Sequence, residues 1–314
     1  MKTSPTLSRR ESLRTLALGA TAFAFGSRGI FAEDKIKNPP VPEMKYVSLG
    51  EKLTLLSGGG GNILVLTGKD GGLVIDSGLP DMATTTSLEV AKAAGRPITV
   101  IINTHWHFDH VGGNQALAKE GARIFAHDNC LKRVSSTQHN DFLNKDMPPL
   151  PEDARPDITF NNEMQMHLNG EDLRLVSVDP AHTDGDIFIH LANANVIHMG
   201  DIHFNQLYPF IDYSSGGWIG GMIAGAKKAL ALTDAKTRII PGHGPVASQG
   251  DLKDYVTMLE TVQEKLQKAK AAGQSVDEVV AAAPSKEYDE KLGQGFMKPE
   301  MFVRCAYTSL LKHA

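Results

Sequence analysis

The densest group of chemically active side chains lies in residues 103–114, which read NTHWHFDHVGGN. His105, His107, Asp109 and His110 fall close together within this stretch. Neutral imidazole nitrogens and carboxylate oxygens are ligands that proteins use for Zn²⁺, and also for iron and manganese. The stretch therefore predicts a metal site, with a polar, histidine-rich surface loop as the alternative interpretation.

The spacing of these four residues excludes a single regular element. On a helix, residues two apart point about 200° away from each other, so His105 and His107 would diverge. On a strand, residues 105, 107 and 109 share one face, whereas His110 points to the other. We therefore expect an irregular loop at the end of the apolar strand predicted over residues 98–104.

Further candidate ligands follow predicted strands later in the chain. Each comes directly after a β-type run: His182 after 173–178, Asp201 after 195–199, and His243 after 238–240. Active-site loops are usually built at the ends of sheet strands. One such residue is a weak signal, but the repeated pattern is a strong one.

Strand-type and helix-type segments alternate along the chain, which predicts a layered α/β fold with sheets inside and helices outside. The main predicted segments are a hairpin over 52–56 and 62–67, a polar insertion over 138–157, and helices over 81–94, 218–232, 250–272 and 299–312. The glycine-rich hairpin turn over 57–61 is either a flexible tip or a flap over a binding cleft.

The composition is that of a globular chain with a sizeable core. Of the 314 residues, 41% are apolar and 22% are charged. The net charge is −4, and the region after the N-terminal segment has no basic patch of the kind that nucleic-acid binders carry, so we expect no nucleic-acid partner. Cys130 and Cys305 are too few for a disulfide framework, and we expect free, buried thiols.

The N-terminal residues are expected to be an export signal. Residues 8–14 contain Arg9 and Arg10, resemble a twin-arginine consensus, and precede an apolar run too short to span a membrane. We therefore expect a periplasmic or secreted protein without a stable membrane anchor after signal removal. The predicted divisions are a signal over 1–32, a linker over 33–45, and a folded domain with C-terminal helices over 46–314.

The motif His-x-His-x-Asp-His, followed by a separate histidine, aspartate and histidine, resembles the metallo-β-lactamase superfamily. The resemblance spans roughly residues 45–250 and implies a four-layer αβ/βα sandwich with a dinuclear metal site between the sheets. It implies two ligand sets bridged by Asp201: His105, His107 and His182 for one metal, and Asp109, His110 and His243 for the other. It also implies that Asp76, at the end of another strand, supports the motif loop from behind.

The residue type at Asp201 indicates which subgroup of the superfamily the chain resembles. Broad-spectrum β-lactamases of the superfamily have cysteine or serine there, whereas an aspartate is similar to the glyoxalase II and lactonase relatives. The expected reaction is hydrolysis of an ester, lactone, thioester or β-lactam carbonyl by a hydroxide shared between two Zn²⁺ ions, with Fe or Mn as alternative metals. Asp109 is expected to act as both ligand and general base.

Candidate substrate contacts follow Asp201 in an aromatic, polar loop. We expect His203, Asn205, Tyr208 and Asp212 to lie near a small-molecule substrate. The Tyr208 hydroxyl is a candidate catalytic donor to the developing oxyanion, and packing of the loop is the alternative role for this side chain.

Two other functional classes remain open from the sequence. One is a mononuclear iron redox enzyme such as a persulfide dioxygenase. The other is a non-catalytic periplasmic metal-binding protein, which the ligand types disfavour because structural zinc sites are usually closed by cysteine and histidine.

Overall fold

A computed structural model describes residues 43–313. The predicted export signal over 1–32 and nearly all of the predicted linker lie outside the described residues. No helix within residues 43–313 is long and apolar enough to cross a membrane.

The strands of the described residues form two main sheets and one small hairpin. In chain order they are β1 Lys45–Ser48, β2 Leu53–Ser57, β3 Ile63–Leu66, β4 Gly72–Ile75, β5 Ile98–Ile102, β6 Arg123–His127, β7 Gln138–Asn140, β8 Lys145–Met147, β9 Ile158–Phe160, β10 Glu163–Leu168, β11 Glu171–Ser177, β12 Ile187–Leu191, β13 Val196–His198 and β14 Arg238–Ile240.

The α-helices lie between β4 and β7, between β13 and β14, and after β14. The α-helices of the described residues are α1 Ala83–Ala94, α2 Phe108–Val111, α3 Asn114–Ala118, α4 Asp128–Val134, α5 Ile219–Leu230, α6 Gln249–Ala271, α7 Val276–Ala281, α8 Asp289–Leu292 and α9 Pro299–Lys312. Gly95, in the left-handed conformation, ends α1 as the sequence predicts.

The first sheet has the strand order β1-β2-β3-β4-β5-β6-β9, and the second has the order β10-β11-β12-β13-β14. In the first sheet β4, β5, β6 and β9 are parallel neighbours. The apolar sequence of β5 fits this position, because a parallel strand covered on both faces is apolar on both sides. The loops after β5, β11, β13 and β14 carry the candidate ligands.

The two sheets pack face to face, with helices on their outer faces. Ile75 and Ile102 of the first sheet share one buried cluster with Leu175 and Ile189 of the second. Helices α1 and α3 cover the outer face of the first sheet, and α5, α6 and α9 cover that of the second. The predicted four-layer αβ/βα sandwich is confirmed.

Three elements of the structure are absent from the sequence prediction. The polar alternation of β10, Glu-Met-Gln-Met-His-Leu, is that of a half-buried edge strand and does not stand out in the sequence. The predicted insertion over 138–157 contains the hairpin of β7 and β8. Helix α7 was missed, although Ser275 and Glu278 form a capping box at its start.

Candidate metal centre

The four residues of the opening motif follow the carboxyl end of β5. The chain is irregular from residue 103 to His107, and α2 then begins at Phe108. The predicted loop therefore ends in one helical turn that carries Asp109 and His110. The short helix turns these two side chains toward a position different from that of His105 and His107.

The candidate ligands converge in two groups. The ligand atoms of His105, His107, His182 and Asp201 all lie within 4.8 Å of one another, as do those of a second group. The members of the second group are Asp109, His110 and His243.

Asp201 lies between the two groups. Its Oδ2 is 3.5 Å from Nε2 of His182 in the first group and 3.5 Å from Nε2 of His243 in the second. Its Oδ1 is 3.2 Å from Nε2 of His110. One carboxylate therefore faces both groups, which is the geometry of a bridging ligand.

Hydrogen bonds to the outer ring nitrogens determine which nitrogen of each imidazole faces the centre. Nε2 of His107 lies 2.9 Å from Oδ2 of Asp212, and Nδ1 of His182 lies 2.8 Å from the carbonyl oxygen of Phe210. In a neutral ring these nitrogens carry the proton, so Nδ1 of His107 and Nε2 of His182 present lone pairs. The two lone-pair nitrogens are 2.7 Å apart, a repulsive contact that a shared cation relieves.

Hydrogen bonds to Nδ1 of His105 and His110 likewise direct the Nε2 atom of each ring toward the centre. Nδ1 of His110 lies 2.8 Å from Oδ2 of Asp76, and Nδ1 of His105 lies 3.1 Å from Oγ1 of Thr104, which donates its own proton to Asp76. Nε2 of His105 is buried without a hydrogen-bond partner, which is costly unless a ligand satisfies it. The set of imidazole nitrogens and carboxylates fits Zn²⁺, and also iron or manganese.

The two ligand groups differ in the pKa values of their histidines. Burial lowers the pKa of His105 well below its usual value and that of His182 to about 4. Burial also opposes charge on His110 and His243, but the nearby carboxylates, Asp201 first and then Asp109, together outweigh it and raise both pKa values, that of His243 to about 9. His105 and His182 of the first group are thus neutral imidazoles, as metal ligation requires, whereas a metal must displace protons from His110 and His243.

Asp76 holds the motif loop from below. It is fully buried, its backbone adopts a φ of 62°, and its carboxylate accepts hydrogen bonds from the backbone nitrogen and the hydroxyl of Thr104 and from His110. A non-glycine residue in this conformation is strained and persists only where its surroundings fix it. Asp76 thus contacts both the start of the motif loop at Thr104 and its end at His110.

The glycine-rich turn over 57–61 is hydrogen-bonded to the motif loop. The backbone nitrogen of Gly61 donates to the carbonyl oxygen of Asp109 at 3.1 Å, and the next residue, Asn62, donates to the carbonyl oxygens of Pro241 and Gly242. A Cβ on Gly61 would lie 2.2 Å from Cε1 of His110. Gly61 therefore allows the turn to approach the candidate ligand His110 closely, as the alternative of a flap over the site requires.

The sequence model of the metallo-beta-lactamase superfamily matches residues 56–243, more than half of the chain. The chain belongs to the metallo-β-lactamase superfamily. Its Asp109, His110 and His182 lie within the matched range, and the range ends at His243. The prediction made from the ligand motif is confirmed at this level.

The relatives of this superfamily member include named hydrolases. The hydroxyacylglutathione hydrolase of Nitrosococcus oceani is 27% identical over 158 residues, covering 50% of this chain and 52% of the relative. Human acyl-coenzyme A thioesterase MBLAC2 is 22% identical over 210 residues, covering 60% and 74%. The chain thus spans about half the length of the hydroxyacylglutathione hydrolase. A metallo-β-lactamase structure from Pontibacter korlensis has a TM-score of 0.57 at 16% identity, over 69% of this chain and 99% of that one, and supports the fold.

The predicted catalytic role of Tyr208 does not fit the structure of this superfamily member. The Tyr208 hydroxyl lies 2.7 Å from Oδ1 of Asp289 and 3.1 Å from the carbonyl oxygen of Ser285, and its ring stacks on Phe302. Its proton is thus committed to the C-terminal segments. Tyr208 packs the loop, which is the alternative role that the sequence left open.

Two other predicted substrate contacts, His203 and Asn205, do not line the cleft beside the candidate ligands, whereas Tyr208 does. His203 is fully buried and packs edge-on against the ring of Tyr255. Asn205 is buried and donates from Nδ2 to the carbonyl oxygen of Pro245 and from its backbone nitrogen to that of His243, so it fixes the turn that carries this ligand. These corrections arise because the loop after Asp201 folds under the site.

Asp212 has a role that the sequence did not reveal. Besides His107, its carboxylate accepts hydrogen bonds from the hydroxyl of Ser215 and from the backbone nitrogen of Ser214. Trp106 donates from Nε1 to Ser215 and so belongs to the same framework. Asp212 therefore orients a ligand ring, as carboxylates behind metal-binding histidines commonly do.

A cleft of about 330 Å³ opens beside the second ligand group. Asp109, Asp201 and His243 lie at its base, and Phe210 and Phe296 are among its walls. The lining residues after position 290 belong to no sequence motif, and only the tertiary fold brings them to the cleft.

Proposed function

We propose that the protein is a dinuclear zinc hydrolase that cleaves a carbonyl compound of the ester, lactone, thioester or β-lactam type. The observation that carries the proposal is the set of imidazoles whose outer nitrogens are hydrogen-bonded while their inner nitrogens converge on the shared carboxylate of Asp201. Two ligand groups of this kind, beside an open cleft, differ from a closed structural site. The relatives whose names denote hydrolases support the same class.

The chemistry divides between the metals and the protein. A bound pair of divalent ions supplies Lewis-acid polarisation and lowers the pKa of water toward neutrality. The carboxylate of Asp109 is partly exposed and lines the cleft, so its free oxygen can accept a hydrogen bond from the attacking water and orient it. Asp212, through His107, and Asp76, through His110, hold the ligand rings still.

The test combines metal content with hydrolysis. The purified protein should contain two zinc ions per chain and hydrolyse at least one of a chromogenic lactam, a lactone and a thioester. His110→Ala should lower the metal content, and it should lower the hydrolysis rate by about 100-fold or more. His167→Ala, an exposed histidine on β10, is the matched control and should leave both unchanged.

Opposite results distinguish the other classes. One iron ion per chain together with oxygen consumption on a persulfide would replace the hydrolase by the redox function. Two tightly held ions without hydrolysis of any substrate would favour a metal-binding protein without catalytic activity.

We also propose that the protein is exported through the twin-arginine route. The support is the pair Arg9 and Arg10 within residues 8–14. Cell fractionation of the full chain should place it in the periplasm or medium, and replacing both arginines by lysine should retain it in the cytoplasm. Arg28→Lys is the control that should leave export unchanged.

A further inference from the structure

The walls of the cleft are apolar on every chain segment that contributes to them. They come from the turn after β4, the hairpin of β7 and β8, the loop after Asp201, and the segment before α9. The apolar wall residues used here are Leu79, Leu143, Met147, Leu207, Phe210 and Met297. An enclosed apolar wall binds apolar groups of a ligand through burial of their surface.

The lining offers no cationic partner for a charged substrate group away from the metal centre. Among the described residues, no lysine or arginine lines the cleft. Its polar lining beyond the candidate ligands is uncharged: it consists of the Asn140 amide, whose Oδ1 accepts a hydrogen bond from the backbone of Leu143, and Tyr208, whose hydroxyl is bound to Asp289. Lys145 lies nearby, with Nζ 6.0 Å from the centre of the Phe108 ring, but it does not line the cleft.

The mouth of the cleft carries exposed apolar side chains from three distant parts of the chain. Phe108 is 39% exposed, Leu143 is 37% exposed and Phe296 is 66% exposed, and all three line the cleft. Folding alone does not favour such exposure, and contiguous apolar surface around a cleft marks a ligand-binding site. The apolar lining therefore continues outward from the metal centre to the surface.

We propose that the substrate portion seated in this cleft is an uncharged alkyl chain or aromatic ring, with the scissile carbonyl at the metal centre. This inference rests on the proposed hydrolase function and specifies its substrate class. A carboxylate or phosphate at the far end of that portion would lose its hydration against Phe210, Met297 and Phe296 without gaining a cationic partner.

A matched pair of esters tests this discrimination. p-Nitrophenyl hexanoate and the mono-p-nitrophenyl ester of adipic acid have the same leaving group and chain length, and differ by a terminal carboxylate. The zinc-loaded wild type should cleave the neutral ester with a kcat/KM roughly 10- to 100-fold higher. Equal rates, or a preference for the adipate ester, would overturn the inference while leaving the hydrolase function intact.

A lysine at the mouth should change this preference. Phe296→Lys should raise the relative kcat/KM for the adipate ester roughly tenfold, because the new ammonium group pairs with the carboxylate. The control is Leu88→Lys on α1, where the replaced side chain is also 66% exposed but does not line the cleft. The ratio should remain that of the wild type in this variant.

A binding measurement separates this inference from the hydrolase function. N-phenyl-1-naphthylamine is a neutral probe whose fluorescence rises in apolar sites, and it should bind the zinc-loaded protein and be displaced by the hexanoate ester. Phe296→Lys should weaken probe binding roughly 3- to 10-fold, and Leu88→Lys should not. If the probe does not bind, the inference is wrong. If the probe binds and neither these esters nor the lactam, lactone and thioester are cleaved, the apolar cleft is supported and the hydrolase function is refuted.

Discussion

Replacing Gly61 by alanine should damage the metal centre through a single methyl group. The new Cβ would lie 2.2 Å from Cε1 of His110 and 2.7 Å from its Nε2. The first distance is more than 1 Å short of the ~3.5 Å at which carbon atoms make favourable contact. The ring cannot easily yield, because it is fully buried and its Nδ1 is held 2.8 Å from Asp76.

The hairpin turn cannot easily yield either. Gly61 donates to the backbone of Asp109, and Asn62 donates to Gly242 at 2.8 Å. We therefore expect a loss of about 1–3 kcal/mol in the free energy of unfolding from overpacking. Displacement of the ligand ring by about 1 Å should lower kcat/KM by about 100-fold, with weaker binding of the metal held by Asp109, His110 and His243.

The assay compares metal stoichiometry by mass spectrometry, hydrolysis rates and urea unfolding. The control is Gly59→Ala in the same turn, where the added Cβ would meet Oγ1 of Thr86 at 3.1 Å and Cε of Met44 at 3.2 Å. These side-chain ends can shift by a few tenths of an ångström, so this variant should keep both metals and most of its activity. Wild-type metal content and rate in Gly61→Ala would refute the close-approach argument.

Three further predictions concern the groups around the centre. Asp212→Asn should weaken binding of one metal roughly 10-fold in competition with a chromogenic chelator, because His107 loses its carboxylate partner; an unchanged affinity would exclude an orienting role. Tyr208→Phe should lower the free energy of unfolding by about 1 kcal/mol in urea while kcat changes by less than about twofold, because the hydroxyl bonds to Asp289 and not to substrate; a large loss of kcat at unchanged stability would restore its predicted catalytic role. Removing metal with a chelator should lower the melting temperature by ~5 °C, and zinc should restore it; an unchanged melting temperature would argue against metal binding to the folded protein.

The ligand set was accessible from the sequence because each ligand follows a short apolar strand. The motif spacing from His105 to His110 excludes a regular element, and strand ends are local features. The structure brings His182, Asp201 and His243 to the same place because the loops after β11, β13 and β14 leave the second sheet at the same end of its strands. The local sequence pattern and the sheet topology were therefore sufficient to predict which residues form the candidate ligand set.

The surroundings of the ligands could not be predicted in the same way. Tyr208 was placed near substrate because it follows Asp201, but its hydroxyl contacts Asp289, 81 residues later in the chain. Phe296 reaches the cleft from the segment before α9, with no signal in the local sequence. The turn over 57–61 contains glycines for contact with His110, whereas the sequence alone equally suggests mobility. Each case depends on long-range packing that residue pattern does not encode.

The chain crosses from the first sheet to the second once among the described strands, in the two residues between β9 and β10. The protein is therefore two contiguous halves, and each ligand group takes members from both: His105 and His107 join His182, and Asp109 and His110 join His243. Neither half alone can complete a ligand group. Metal binding thus requires both halves, so we expect the two pieces of a chain cut at residues 161–162 to bind metal only when they reassemble.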